Sequence, residues 1–283
     1  MTRPDQPGLS VVIVTYHVPS LLRRCLDALR RADAPFGLET IVVDAGTDGN
    51  GADLRRTDPG VIVIEAPENP GFGAACNLGA RRATGRRILF LNPDTELREG
   101  TLADLVALGR AAPRAGIVGP MLRNTDGSIY TSGRAFPRIR DAAGHALLGS
   151  VRPGNRFTRR YHLDGWDRTT PREVDWVSGA AMLMPRAAYE AVGGFDERFL
   201  LYGEELDIAT RLRAAGWTTR FEPSVAFLHV GGVSTGRSAA TLRMHADSIF
   251  RYYRLHRARG WRVVTLPFAW LFLRSWARRE ARR

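Results

Sequence analysis

The chain contains no lysine and little cysteine. All 41 basic residues among its 283 positions are arginine, and the only two cysteines, Cys25 and Cys76, form no Cys-x-x-Cys pair. Structural zinc sites and disulfide scaffolds are therefore not expected, and a reduced, cytoplasmic protein is predicted. No apolar run approaches the roughly 20 residues that span a bilayer, and the first ten residues lack the order of a signal peptide.

The charge of the sequence is concentrated in its last part. The net charge is +12, and residues 251–283 hold ten arginines against one glutamate, so the remainder is close to neutral. A basic segment next to a near-neutral body is typical of proteins that bind an anionic surface, either a membrane or a nucleic acid. No recognised DNA- or RNA-binding motif accompanies the charge, so nucleic acid is not expected as a partner.

This basic tail is also apolar and aromatic, with an apolar segment at 263–273. On a helix its arginines and its apolar side chains take roughly opposite faces: Arg274, Arg278 and Arg282 against Ala269, Leu273, Trp276 and Ala277. The pattern predicts a helix lying on a membrane surface, with the arginines at anionic headgroups. The alternative is a helix that docks on the body of the protein or on the second subunit of a homodimer.

Short apolar segments alternate with helical patterns over most of the chain. Strands are predicted at 9–16, 39–51, 60–67, 86–97, 115–122 and 173–186, the second and fourth ending in polar turns, and a strand pair or strand-turn is predicted at 219–232. Helices are predicted at 19–32, 72–84, 101–112, 186–195, 204–217 and 238–258. Residues 133–172 are expected to form a long loop. This alternation predicts an α/β fold with a doubly wound, mostly parallel central sheet.

Two acidic residues follow predicted strands, where such sheets bind their ligands. Asp44 follows the apolar segment 41–43, and Asp94 ends the motif Asn92-Pro93-Asp94 after the apolar segment 88–91. Because the carboxyl ends of parallel strands meet at one edge of the sheet, we expect these acids to be neighbours. Asp94 is suited to Mg²⁺ or Mn²⁺, which bind one or two carboxylates and substrate phosphates. The alternative for both is a turn in which the acid bonds its own backbone.

Two further patterns are compatible with binding a phosphate. The segment 69–79 places Gly71 and Gly73 before a helix, but Cys76 occupies the position where a dinucleotide fingerprint requires Gly or Ala. Its helix start is expected to leave N–H groups available for a polar ligand. His229 ends a predicted strand, where an imidazole can ligate a metal or donate to a phosphate. The alternative is a half-buried histidine with a structural role.

Three carboxylates stand together at Glu204, Glu205 and Asp207, at the start of a predicted helix. Acids are favoured there by the helix dipole, so a structural role is the simpler alternative. The segment 198–202 just before them is apolar except for Arg198, however, and this places them near the core. Glu204 and Asp207 share one helix face and Glu205 points about 100° away, so the three are expected to differ in role.

Six segments in this order resemble family 2 glycosyltransferases of the GT-A fold, in particular rhamnosyltransferase-like members. They begin with "SVVIVTYHV", "IVVDAGTDG", "ENPGFGAACNLGA" and "ILFLNPDTEL" and continue with residues 175–217 and "FLHVGGVS". The resemblance covers roughly residues 9–235. It implies a glycosyltransferase domain over 1–235, with a nucleotide-sugar-binding half (1–120) and an acceptor half (121–235), followed by a basic helical extension (236–283).

The resemblance also implies roles for individual residues. Asp94 matches the last Asp of the Asp-x-Asp metal motif, and His229 matches a histidine near the metal and diphosphate. Glu205 stands where the family's Glu-Asp-x-Asp signature has the Asp taken as catalytic base, which keeps Glu204 and Asp207 as alternatives. The donor-binding residues expected from it are Thr15, Tyr16, Asp44, Gly71, Gly73, Asn77, Asn92 and Asp94.

The resemblance thus implies an inverting, metal-dependent transfer from a nucleoside-diphosphate sugar to an acceptor hydroxyl. The sugar is expected to be L-rhamnose from a dTDP donor, and the acceptor a lipid-linked glycan or polysaccharide of the cell envelope. The protein is then expected at the inner face of the cell membrane, bound peripherally through its tail. The alternatives are a nucleotidyltransferase on a related sheet and a sugar-nucleotide-binding scaffold that has lost its base.

Overall fold

A computed structural model describes residues 7–136, 165–231 and 238–281, together with positions 152, 154, 155, 159 and 163. The predicted loop at 133–172 and the tail residue Arg282 lie largely or wholly outside the described residues. The strands are β1 (Leu9–Thr15), β2 (Leu38–Asp44), β3 (Val61–Glu65), β4 (Arg87–Leu91), β5 (Thr95–Glu99), β6 (Ala115–Arg123), β7 (Ile129–Tyr130), β8 (Arg172–Val174), β9 (Ala181–Pro185) and β10 (Thr218–His229).

The helices alternate with these strands in the first half of the chain and gather at its end. They are α1 (Pro19–Arg31), α2 (Asn50–Thr57), α3 (Phe72–Arg82), α4 (Leu102–Ala111), α5 (Arg186–Ala191), α6 (Glu204–Ala214), α7 (Ala239–His256) and α8 (Leu266–Glu280), with a 3₁₀ helix (Gly260–Thr265) before the last.

The described strands form one sheet in the order β3-β2-β1-β4-β9-β6-β10-β5, with β7 paired to β6 and β8 to β10. Strands β3, β2, β1 and β4 pair in parallel, and β6 pairs in parallel with β10. Strand β9 lies antiparallel between β4 and β6, so those two strands point the same way. The predicted doubly wound, mostly parallel α/β sheet is confirmed.

The sheet is covered on both faces because successive residues of a strand point to opposite sides. In β1, Val11 and Ile13 pack with α1 and α4, whereas Val12 packs with α3, α6 and α7. Gly79 permits the close approach of α3, since a Cβ there would lie 2.4 Å from Val12 Cγ1. Both cysteines are free and buried in these layers.

The structure adds elements that the sequence patterns did not predict. Helix α2 follows the glycine-rich turn, and β5 follows the Asn92–Asp94 turn, where only a polar turn was expected. The predicted strand at 173–186 is divided into β8 and β9. The segment 219–232, predicted as a strand pair or strand-turn, contains the single strand β10, whose register shifts between Glu222 and Ala226. Pro223 lies in that interval and cannot donate to a sheet ladder.

Candidate active site

The carboxyl ends of β1, β2, β4 and β10 lie at one edge of the sheet, here called the donor edge and defined by Thr15, Asp44, Asp94 and His229. Thr15 pairs with Asp44 in the β1–β2 register, and β4 lies on the other side of β1. Asp44 and Asp94 are therefore brought to the same edge, as their positions after parallel strands predicted.

Asp44 is buried and bonded to its own loop. Its Oδ1 accepts from the Gly46 N–H at 3.1 Å and its Oδ2 from the Gly51 N–H at 2.6 Å. Beside it, the buried Thr15 hydroxyl has no hydrogen-bond partner among the described residues. Tyr16 is 40% exposed and packs edge-on against His17. The edge thus offers a fixed acid, an unpaired hydroxyl and an accessible aromatic ring.

Asp94 and His229 form a buried pair with unused polar atoms. Asp94 Oδ2 accepts from the Gly231 N–H at 2.9 Å. Its Oδ1 lies 3.7 Å from His229 Nε2, which is too long for a hydrogen bond. That oxygen has no partner among the described residues. Burial lowers the pKa of His229 and the charge of Asp94 opposes this shift, so the imidazole is largely neutral at neutral pH.

This pair fits a divalent cation. A buried, unpaired carboxylate oxygen and a neutral imidazole are both metal ligands. Within the described residues, no cluster of three or more His, Cys, Asp and Glu side chains is placed to hold a metal. A Mg²⁺ or Mn²⁺ shell is ordinarily completed by substrate phosphates and water, so two protein ligands suffice.

The two glycines at the start of α3 serve close packing. A Cβ on Gly71 would lie 2.6 Å from the Leu200 carbonyl oxygen, and a Cβ on Gly73 would lie 3.2 Å from Phe195 Cβ. The Phe72 N–H donates to the same Leu200 carbonyl at 3.1 Å. The loop expected to bind the donor therefore touches the segment that leads into α6.

Asn77 has a structural role instead of the expected donor contact. Its amide nitrogen donates to the Phe195 carbonyl and to Glu197 Oε1, each at 2.9 Å. Its amide oxygen accepts from the Phe195 N–H at 3.0 Å and from the Tyr189 hydroxyl. An amide has two donors and two acceptor positions, and all four are used within the protein. For Asn92 the backbone is engaged, its N–H donating to the Ala180 carbonyl at 2.9 Å.

The chain enters α6 through two consecutive left-handed residues, Tyr202 (φ 63°) and Gly203 (φ 88°). The Gly203 N–H donates to Glu205 Oε2 at 3.1 Å. Glu205 is half-buried and faces Gly179, whose Cβ position would lie 3.9 Å from Glu205 Cβ. Burial raises the pKa of Glu205, while the nearby charge of Arg134 lowers it. The net effect raises the pKa of Glu205, so its carboxylate holds a proton more readily than that of an exposed glutamate.

The other two acids of α6 face different surroundings. Glu204 packs toward α3, where its Cβ lies 3.6 Å from the Cβ position of Gly73. Burial and, second, the charge of Glu205 raise its pKa well above the usual range. Asp207 is buried between Arg211 Nε at 2.7 Å and His256 Nε2 at 2.6 Å. The three acids therefore lie in different surroundings, and the prediction that they differ in role stays a prediction.

Arg134 was not found by sequence reasoning, because it falls in the segment expected to be a loop. Its guanidinium stacks over Trp176 at 5.0 Å and over Tyr130 at 5.7 Å. Tyr130 in turn packs edge-on against His229, with ring centroids 5.3 Å apart. Arg134 thus connects the surroundings of His229 with those of Glu205. In the sequence, only the aromatic residues near Arg134 could have indicated that its side chain is held in place.

The tail takes a different orientation from the one its sequence pattern predicted. Leu273, Trp276 and Ala277 pack against α7, and Arg274 pairs with Asp247 on α7 at 3.1 Å. The apolar face expected on the membrane is thus covered by the protein. The large apolar side chains that remain exposed in the tail belong to the 3₁₀ helix and the start of α8: Trp261, Val263, Val264, Phe268, Trp270 and Leu271. None of the described helices is long and apolar enough to cross a bilayer.

The chain resembles solved structures over almost its whole length. A mannosyltransferase from Pyrobaculum calidifontis in complex with GDP-Man and Mn²⁺ has a TM-score of 0.59 at 19% identity, covering 96% of this chain and 74% of that one. GalNAc-T7 with UDP, GalNAc and Mn²⁺ has a TM-score of 0.61 at 17% identity over 89% of this chain, which spans half of that protein. These likenesses show that the fold is GT-A.

Sequence relatives give the family. The family model described as "Glycosyl transferase family 2" matches residues 10–190. The N-acetylglucosaminyl-diphospho-decaprenol L-rhamnosyltransferase of Mycobacterium tuberculosis is 33% identical over 97% of this chain and 96% of that protein. Rhamnosyltransferase WbbL of Escherichia coli is 27% identical over 64% of this chain and 69% of that protein. The chain therefore belongs to glycosyl transferase family 2 and is a glycosyltransferase.

Proposed function

We propose that this glycosyltransferase moves L-rhamnose from dTDP-L-rhamnose to a hydroxyl of a lipid-linked glycan, with inversion, in cell-envelope synthesis. The observation that carries the proposal is the pairing of a cation-competent edge (Asp94 and His229) with a separate, proton-accepting Glu205. Full-length similarity to a mycobacterial enzyme named for L-rhamnosyl transfer to a diphospho-decaprenol acceptor supports the choice of sugar and acceptor.

The donor edge holds the leaving group in this proposal. Asp94 and His229 would hold a divalent cation, which would supply positive charge to neutralise the departing nucleoside diphosphate. Asp44, Thr15 and Tyr16 lie where the nucleoside is expected. The N–H groups at the start of α3, following Gly71, lie next to the segment that leads into α6.

Glu205 activates the acceptor. As the acceptor hydroxyl attacks the anomeric carbon from the face opposite the leaving diphosphate, its proton passes to the Glu205 carboxylate. The bond from the anomeric carbon to the diphosphate oxygen breaks, so the configuration inverts. The Gly203 N–H, bonded to Oε2, orients the carboxylate. A base with a raised pKa is a better proton acceptor at neutral pH.

The tail places the enzyme at the cytoplasmic face of the membrane. Exposed Trp261 and Phe268 lie in the segment that contains most of the net positive charge, a combination that favours an anionic bilayer surface. A lipid-linked acceptor lies at that surface. A second copy of the chain on the same apolar face, forming a homodimer, is the alternative occupant.

The test is transfer to a synthetic N-acetylglucosaminyl-diphospho-prenol with dTDP-L-rhamnose, in Mn²⁺ or in EDTA, followed by mass spectrometry. One added deoxyhexose that requires the metal is expected, and NMR of the product gives its anomeric configuration. Transfer in EDTA overturns the metal assignment. Transfer from other sugar nucleotides alone overturns the choice of donor, and donor binding without transfer to any acceptor favours the scaffold alternative.

A further inference from the structure

Helix α7 lies along α6 although it falls beyond residues 1–235, the expected catalytic domain. Four of its side chains recur at helical spacing and so share one face: His245, Ser248, Tyr252 and His256. Each contacts a different part of the segment 201–210 that carries the acids. This contact runs along a whole helix face and involves polar groups that are mostly buried.

Two of these contacts fix the rotation of α6 about its axis. His256 Nε2 lies 2.6 Å from Asp207 Oδ1, and the Tyr252 hydroxyl lies 3.1 Å from Thr210 Oγ1. Asp207 and Thr210 are three residues apart and share a helix face. Glu205 lies off that face. The direction in which its side chain points is therefore set by the rotation in which α7 holds α6.

The other two contacts hold the turn before α6. Ser248 Oγ donates to the Leu201 carbonyl at 2.9 Å, and the rings of His245 and Tyr202 lie 4.8 Å apart. Tyr202 has a left-handed backbone, which a non-glycine residue keeps only where its surroundings enforce it. Gly203 supplies no side-chain cap to α6, so the helix start depends on neighbouring groups.

We propose that α7 is a positioning element of the active site, in which Ser248 and His256 hold the turn 201–203 and helix α6 so that Glu205 meets the acceptor hydroxyl. The proposal rests on the proposed function for the role of Glu205. It makes the first helix of the C-terminal extension part of the catalytic body, whereas the 3₁₀ helix and α8 present the exposed apolar surface.

The experiment compares full-length His256→Ala, His256→Gln and Ser248→Ala with a matched control, Tyr253→Phe. Tyr253 is buried on the same helix, but its hydroxyl bonds Thr265 of the 3₁₀ helix. We expect His256→Ala and Ser248→Ala to lower kcat about tenfold without changing KM for dTDP-L-rhamnose, since misplacing a catalytic group slows the chemical step. His256→Gln keeps an N–H donor and is expected to recover most of kcat, and Tyr253→Phe is expected to keep all of it.

Amide hydrogen exchange over residues 199–207 tests the same contacts without a substrate. Faster exchange there in His256→Ala and Ser248→Ala, but not in Tyr253→Phe, is expected. In an active enzyme, unchanged kcat in both alanine variants, or an equal loss in Tyr253→Phe, overturns the proposal. If the wild type transfers nothing, the proposed function fails by itself. In that case the hydrogen-exchange measurement decides the question. Equal exchange rates over residues 199–207 in all variants would overturn the role of α7.

Discussion

The donor edge and the region of α6 around Glu205, here called the acceptor side after the role proposed for it, are held by different kinds of interaction. At the donor edge the carboxylates of Asp44 and Asp94 accept hydrogen bonds from backbone N–H groups of nearby loops. On the acceptor side, α6 is held by side chains, as where Asp207 meets His256, 49 residues away. The difference implies that the donor edge follows from strand ends, whereas the acceptor side depends on the C-terminal extension.

The largest effect is expected from Glu205→Gln, which changes the acceptor side alone. Loss of a general base costs about 10²–10⁴-fold, so transfer should fall by that range. Donor binding should persist, measured as the rise in melting temperature with dTDP and Mn²⁺. Glu204→Gln, one position away, is the control and should retain transfer.

Transfer by Glu205→Gln within tenfold of the wild type would show that another group is the base. The pH profile of kcat/KM gives a second measurement. Because the pKa of Glu205 is raised, the acidic limb should lie above the ordinary glutamate value of about 4.3. Activity should rise with pH through that limb, since the base acts when ionised.

Asp94→Asn changes the donor edge alone and is expected to have the next largest effect. The amide oxygen can still accept from the Gly231 N–H, so the fold should be kept, but a carboxylate ligand is lost. The extra rise in melting temperature that Mn²⁺ adds to dTDP binding should therefore be largely lost, and kcat should fall about 10²-fold or more. His229→Gln should act in the same direction. A metal-dependent rise as large as that of the wild type would contradict the assignment.

Changes to the exposed apolar surface of the tail should affect membrane binding more than the rate of sugar transfer. In a Trp261→Ser/Phe268→Ser/Leu271→Ser variant, binding to phosphatidylglycerol vesicles should weaken at least tenfold, because each large side chain contributes roughly 1.5–3 kcal/mol when buried. Met244→Gln, an exposed change on α7, is the control. Unchanged vesicle binding would rule out the bilayer as occupant, and a dimer that dissociates in the triple variant would identify a second copy.

The smallest expected effect is on stability. Burial raises the pKa of Glu204, so ionising it disfavours the folded state. The stability that the protein gains by keeping Glu204 protonated is complete below the unfolded-state pKa of about 4.3. It is lost as pH rises through the raised pKa of the folded state. Glu204→Gln should therefore match the wild type at pH 4 and be about 1–3 kcal/mol more stable at pH 8. If Glu204→Gln and the wild type had equal melting temperatures at both pH values, Glu204 would not be a buried, unpaired acid.

Local patterns predicted the donor half well. The apolar run of β1 and the acids after β2 and β4 are visible because strand burial and strand ends are short-range features. Helix α2 was missed because Leu54 is the one large apolar residue in it, which leaves no amphipathic period to detect. Strand β5 was missed because its pairing with β10 joins segments more than a hundred residues apart.

By itself, the sequence determined the α/β class, the donor edge and the family, since these depend on periodicity, strand ends and motif order. Only the tertiary structure decided what surrounds each acid of α6, that the amide of Asn77 is fully used inside the protein, and which face of the tail is exposed. Those outcomes depend on partners outside the local segment: His256 for Asp207, Phe195 for Asn77, and α7 for α8. Helical spacing gives the direction of a side chain relative to its neighbours, but packing decides what lies in that direction.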